Sequence, residues 1–476
     1  MHLVVIGGSD AGISTALRAR ELDPSAEVTV VVADAYPNFS VCGIPMLIGQ
    51  EVGHWTDLAH RTRADLEATG MRLELDTLAT RVDAAAQELW VRPADGVERA
   101  IGYDELVVGT GAVPLRPPIE GFDGPGALGP QDGVHLLHSM GDTFDVLRTL
   151  EQGTARSALI VGAGYVGLEM AEGLIHRGLA VTQVERLPEV LPTVDPELGA
   201  LVHEELSARG VDVVTSTTVR RLSRAEPGAT GRLRVDGTSD DGVAFTRRVD
   251  MVLVVVGVRP DTELLVDAGA TTGPRGAVVV DERMATGVPH VWAAGDCVLT
   301  HHRLLGTTYL PLGTTAHKQG KVAGENALGG GARYAGSLGT QVLRVFELVV
   351  GRTGLRQHEA IAAGRGWCPV TTQSSPDDHK AYYPGATPIE MRVTGDRDTG
   401  RLLGAQLVGR LGAEVAKRVD TFALALFHGM RVAEMDDLDL SYTPPLGSPW
   451  DAVQVAAQAW VREHELPAVR RGLVRA

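Results

Sequence analysis

Cys42 is the residue whose setting points most directly to chemistry. It lies in the run Tyr36–Met46, ahead of a glycine and a proline and a few residues past an apolar strand. A thiol near a helix start, with its pKa lowered, can serve as nucleophile and electron relay in a redox enzyme. The competing reading is a small buried hydrophobe, since cysteine is among the most buried residue types. The rest of the chain decides for the first, because it supplies two nucleotide-binding units in an order that can feed electrons to this position. The other cysteines call for little: Cys297 reads as packing behind Asp296, and Cys368, between Gly366 and Pro369, carries no redox signature. Three cysteines this far apart make neither a disulfide framework nor a Cys-rich metal site, so a reducing cytoplasm is the expected location. No metal site is expected, as His301 and His302 are adjacent rather than at helical spacing.

The elements that must position Cys42 begin at the first residues. Leu3–Ile6 reads as a buried strand, Gly7–Gly12 as a tight turn, Ile13–Glu21 as an amphipathic helix and Glu27–Val32 as a second strand. This is a βαβ start in which glycines admit a pyrophosphate to a helix N-terminus. Gly7, Ser9, Ala11 and Gly12 are the expected contacts, with Ser9 at the middle glycine of the fingerprint. Val32 occupies the usual acidic position, so Asp34 is the candidate for the ribose. Two further strand ends carry Gly-rich turns, Thr110–Gly111 before Pro114 and Gly295–Asp296.

The second unit is more complete. Ser157–Val161 reads as a strand, Gly162-Ala163-Gly164-Tyr165-Val166-Gly167 is a full G-x-G-x-x-G, and Leu168–Arg177 and Ala180–Glu185 read as helix and strand. Glu185 sits about 20 residues past the turn, where a carboxylate accepts from a ribose diol. It favours NADH, while Arg186 beside it leaves NADPH open. Gly257 lies in the strand-end turn that closes the unit. Such a tandem implies two dinucleotides bound at once.

At 476 residues with a net charge of −16, the chain has room for about three domains, and its charge disfavours nucleic acid and anionic membrane as partners. The strand at Leu3 leaves no room for a signal peptide, and no apolar run approaches the roughly 20 residues of a membrane helix.

With both units in place, the sequence resembles the pyridine nucleotide-disulfide oxidoreductases over essentially its whole length. The resemblance implies an α/β protein with two Rossmann-like dinucleotide-binding domains, for FAD and NAD, plus a C-terminal α+β dimerisation domain. The implied boundaries are 1–115 with 276–335 for FAD, 116–275 for NAD(P) and 336–476 for dimerisation. Thr110, Gly111, Gly295 and Asp296 would complete the FAD site, and Pro311–Gly320, with Thr314 and Thr315, would open a helix aimed at the isoalloxazine.

Leu47 stands where many members carry a second redox cysteine, so the chain resembles the single-cysteine branch of coenzyme A-disulfide reductases, persulfide reductases, NADH oxidases and peroxidases. Oxidases and peroxidases of that branch place a histidine where this chain has Asp10, which favours the sulfur reductases. Asp439–Pro445 resembles a reductase segment whose tyrosine, here Tyr442, reaches the partner subunit's cysteine, and Tyr382 lies in a second tyrosine-containing loop. The resemblance thus implies a homodimer that reduces a small-molecule disulfide or persulfide, with coenzyme A as one candidate. Arg20, with Arg18, Arg61 and Arg63, would supply cations for its phosphates.

Overall fold

The computed structural model describes residues 1–226 and 230–465. The basic tail Val469–Arg475, singled out in the sequence, lies outside the described residues.

Two five-stranded parallel sheets share one plan. In the first, the order is Val291–Ala293, Glu105–Val108, His2–Ile6, Glu27–Val31 and Arg72–Glu74. In the second it is Val134–His135, Met251–Val254, Ser157–Val161, Ala180–Val184 and Asp212–Val214. The near-continuous apolar runs Leu3–Ile6 and Ala158–Val161 are buried, as strands covered on both faces require. Each sheet carries a three-stranded antiparallel appendage, at Thr77–Gly102 and at Thr217–Val249. The strands Ala112–Pro114 and Val258–Pro260 pair antiparallel and join the two units.

The C-terminal unit is an antiparallel sheet of five strands, ordered Gln341–Val345, Leu348–Gly354, Leu402–Arg410, Glu390–Asp396 and Pro369–Ser374. Helices Val415–Phe427 and Ala452–His464 cover it, with Phe422 and Trp460 fully buried.

Four helices position the site: α1 (Asp10–Leu22), α2 (Ile44–Ile48), α3 (Tyr165–His176) and α4 (Gly313–Ala327). Both turn helices start three residues earlier than the sequence reading placed them, inside the Gly motifs, because each glycine turn closes directly into the first helical turn. A Cβ at Gly12 would lie 2.0 Å from the Gly7 carbonyl oxygen, and one at Gly167 would lie 2.2 Å from that of Gly162. Gly7 and Gly162 also adopt the left-handed φ values of 112° and 105° that favour glycine.

Glycines likewise seat α4 on α1. A Cβ at Gly320 would fall 2.2 Å from the Ala11 carbonyl oxygen, and one at Gly324 would fall 2.5 Å from that of Thr15. Gly320→Ala is expected to cost about 1–3 kcal/mol by overpacking, read as a lower thermal midpoint. Gly331→Ala, where nothing lies within 4 Å, is expected to leave the midpoint unchanged.

Candidate functional site

Three helix N-termini open onto one cleft of about 2240 Å³. Those of α1, α3 and α4 carry no side-chain cap, so their first N–H groups are free to meet an anion. Single-ligand pockets span roughly 300–1,000 Å³, and this cleft exceeds two of them. Of the residues expected from the sequence, Gly7, Ser9, Ala11, Asp34, Thr110, Gly111, Gly295, Asp296, Thr314, Gly162, Gly164, Tyr165, Val166, Glu185, Arg186, Gly257 and Cys42 line it.

Three expected contacts are packing groups instead. Gly12 and Gly167 are buried under their own turns. Thr315 faces inward, buried 3.4 Å from the Ser337 hydroxyl.

The donors and acceptors suit two dinucleotides. On the first unit, Asp34 accepts from the Tyr36 N–H at 2.8 Å and keeps its other oxygen for a ribose. Asp296 is largely enclosed, and burial together with the Asp10 charge raises its pKa to about 6. A buried carboxylate without a cation suits hydroxyl donors such as those of a sugar or ribityl chain. On the second unit, Glu185 is held on its turn by the Ala163 N–H at 2.7 Å and the Leu187 N–H at 2.9 Å. Those bonds fix the carboxylate, and the remaining lone pairs can accept from a diol. Arg186 and Arg220 both line this end of the cleft. The residues present therefore fit FAD on the first unit and NAD(P)H on the second.

Cys42 sits within the single helical turn Val41–Gly43, immediately before α2. The residue is exposed and lines the cleft, yet the surroundings of its thiol push the pKa up. Burial is the largest cause, followed by the charges of Glu169, Asp10 and Asp296. This corrects the expectation of a lowered pKa: burial, and after it three carboxylates, outweigh what the one short helical turn contributes. α2 itself is pressed against α3, where a Cβ at Gly173 would lie 3.2 Å from the Pro45 carbonyl oxygen. Arg177 caps the end of α2 through the Ile48 carbonyl at 2.6 Å.

Glu169 is the main residue the sequence reading passed over. It follows Tyr165 by four residues on α3, so both project from one helical face into the cleft. Burial, then the neighbouring Glu172, raises its pKa to about 7. That spacing was readable, but the approach to Cys42 was not.

The tyrosines lie elsewhere in the same chain. Tyr382 and Tyr442 are both exposed, and the Tyr442 hydroxyl beside it pushes the Tyr382 phenol up. Neither lines the cleft that holds Cys42. Three of the four arginines proposed for coenzyme A are also engaged. Arg18 pairs with Glu325 at 2.6 Å, Arg63 pairs with Glu67 at 2.8 Å, and Arg20 spans the carbonyls of Thr69 and Ala26. Arg18 and Arg20 thereby tie α1 to its neighbours, whereas the Arg63 pair lies within its own exposed helix. Glu51, Glu172 and His176 converge within 4.8 Å, but Arg344 pairs with both carboxylates and makes the group an ion-pair network.

Glu169→Gln removes one of the charges that raise Cys42. Alkylation of Cys42 by iodoacetamide at pH 8, where Glu169 is ionised in the parent, is expected to run several-fold faster in this variant. An equal or slower rate would show that Glu169 does not act on the thiol.

Comparison with known proteins agrees with this geometry. The family model described as pyridine nucleotide-disulphide oxidoreductase matches residues 1–320, and that of the family's dimerisation domain matches residues 341–452. The chain is 33% identical to an NADH oxidase of Methanocaldococcus jannaschii, over 96% of this chain and 98% of that protein. It is 32% identical to a CoA-dependent NAD(P)H sulfur oxidoreductase of Pyrococcus furiosus, over 96% and 98%. Among solved structures, an NAD-dependent persulfide reductase from A. fulgidus superposes with a TM-score of 0.89 at 33% identity, covering 98% of this chain and 84% of that one. The chain belongs to the pyridine nucleotide-disulphide oxidoreductase family.

Proposed function

We propose that this protein is an FAD-dependent NAD(P)H oxidoreductase in which Cys42 relays an electron pair to a small-molecule disulfide or persulfide. The observation that carries the reading is the exposure of Cys42 on the cleft that the three uncapped helix N-termini share. Bound FAD supplies the two-electron step between NAD(P)H and sulfur.

The protein's own residues supply the rest. α1 and Asp34 hold one dinucleotide, and α3 with Glu185 holds the other. Tyr165 and Glu169 face the space between them. The α4 N-terminus favours negative charge developing across the cleft. The Cys42 thiolate attacks a disulfide sulfur, forms a mixed disulfide and expels one thiolate. Two electrons then cleave the mixed disulfide and restore the Cys42 thiolate. The net reaction is NADH + H⁺ + RSSR′ → NAD⁺ + RSH + R′SH. One proton must come from solvent, because a hydride brings only one.

Tyr442 of one subunit would serve Cys42 of the other, since a phenol can hydrogen-bond a thiolate and so assist the departing sulfur. Its exposure beside Leu446 and Trp450, on a domain of the dimerisation type, supports that arrangement. Coenzyme A remains the candidate for the non-reacting part of the acceptor, on the strength of the similar sulfur oxidoreductase. Arg61 is the one of the four with neither a carboxylate nor a carbonyl partner among the described residues.

Cys42→Ser is expected to lower NADH-dependent, anaerobic reduction of coenzyme A disulfide at least about 10²-fold while NADH still bleaches the flavin. Equal turnover in both proteins would take Cys42 out of the mechanism, and oxygen consumption in the same assay would then test the oxidase reading. Glu185→Ala is expected to raise KM for NADH about tenfold, roughly 1.4 kcal/mol of lost positioning, with FAD content unchanged. A variant that loses FAD as well would show that Glu185 supports the fold rather than the nucleotide.

A further inference from the structure

Asp10, the first residue of α1, meets a histidine from another helix. It comes from α4: His317 Nε2 lies 3.2 Å from Asp10 Oδ1. The other ring nitrogen, Nδ1, lies 2.8 Å from the Ser14 hydroxyl on α1. The pair exists because α4 and α1 approach through glycines, and the inner end of α4 comes close to the Asp10 carboxylate. A Cβ at Gly313 would lie 2.6 Å from Asp10 Oδ2.

The two ends of the pair face different surroundings. Asp10 lines the cleft with Cys42, whereas His317 is 47% exposed and lies outside the cleft lining. Solvent and the sulfur site are therefore bridged by two titratable side chains in contact. Among the described groups, His317 faces Asp10 and Ser14 from α1, and Arg61 from the segment before helix Arg63–Ala68. Asp10 in turn faces Cys42 and Asp296 across the cleft.

We propose that Asp10 and His317 form a proton-relay pair that delivers the solvent proton required when a thiolate leaves the Cys42 site. The inference rests on the disulfide-reduction reading above. His317 takes the solvent proton at Nδ1 through the Ser14 hydroxyl that contacts it. It donates through Nε2–H to the Asp10 carboxylate, and the Asp10 carboxyl protonates the departing sulfur. The thiolate becomes a thiol, Asp10 returns to carboxylate and His317 is neutral until the next proton arrives. No electrons move in this step, and the proton is the one on the left of the net reaction. The contact with Asp10 also raises the His317 pKa, so the imidazole carries its proton further toward neutral pH than an isolated one.

The test uses the FAD-bound protein. His317→Gln and Asp10→Asn are each expected to lower kcat for coenzyme A disulfide at pH 7 about tenfold and to abolish the fall in kcat on the alkaline side of the profile. The double variant should be no slower than the slower single one, because the two groups act as a unit. The rate at which NADH bleaches the flavin should stay at the parent value in all three. Independently of turnover, the His317 ring resonance should titrate at lower pH in Asp10→Asn. Parental pH profiles in both single variants would overturn the proposal. So would an equal loss in the NADH step and the acceptor step, which would mark the pair as a structural tie between α1 and α4. If Cys42→Ser keeps full turnover, the disulfide reading fails and the relay fails with it. A loss in Cys42→Ser with parental Asp10 and His317 variants removes the relay alone.

Discussion

Everything in this molecule that touches its cofactors depends on backbones meeting without side chains between them. A helix N-terminus can present its free N–H groups to a pyrophosphate only if the strand that feeds it turns sharply and the helix packs at once against that turn. Gly7 and Gly12 achieve this in the first unit, and Gly162 and Gly167 in the second, with would-be Cβ contacts of 2.0 and 2.2 Å across each turn. Gly320 and Gly324 extend the same solution to α4. The three N-termini converge because each helix is allowed this close approach.

The electrostatics of the cleft follow from what those helices bring. Their partial positive ends face acidic side chains, namely Asp10, Asp34, Glu169, Glu185 and Asp296. Without a neighbouring lysine or arginine among the causes that act on it, the Cys42 thiol is held up rather than down. A thiol in that state is a poorer nucleophile in the resting protein than a helix-start cysteine would be. Proton supply and removal therefore matter as much as the sulfur itself, and the carboxylates are placed where they can take part.

Cys42 is positioned by a junction of all three units. α2 carries Ile44, Leu47 and Ile48 into a core shared with Ile160 and Leu168 of the second unit and with Val345 and Phe346 of the C-terminal sheet. Around it, Glu172 accepts from the Phe346 N–H at 2.8 Å and from Arg344 at 3.1 Å, and Arg344 also pairs with Glu51. The helix that aims the second dinucleotide thus also braces the helix that follows Cys42. Movement of one unit against another would be felt at the sulfur.

Most of the α/β plan was legible because its signals are local. Gly162–Gly167 between an apolar run and Glu185 announces a strand, a turn and a helix within about thirty residues, and the same pattern at Gly7–Gly12 is readable despite Ser9. That Cys42 lies on the cleft between the nucleotide-binding units was legible from the order of those units along the chain. The sequence could not show which groups meet across long separations. Asp10 and His317 stand 307 positions apart, and Arg20 reads as a solvated cation until its carbonyl partners are seen. The pKa of Cys42 reversed direction for the same reason, since Glu169 and Asp296 reach it only through the packing of helices and sheets. Periodicity and turn chemistry are properties of neighbours along the chain, whereas burial and charge at a site are sums over everything the fold brings near it.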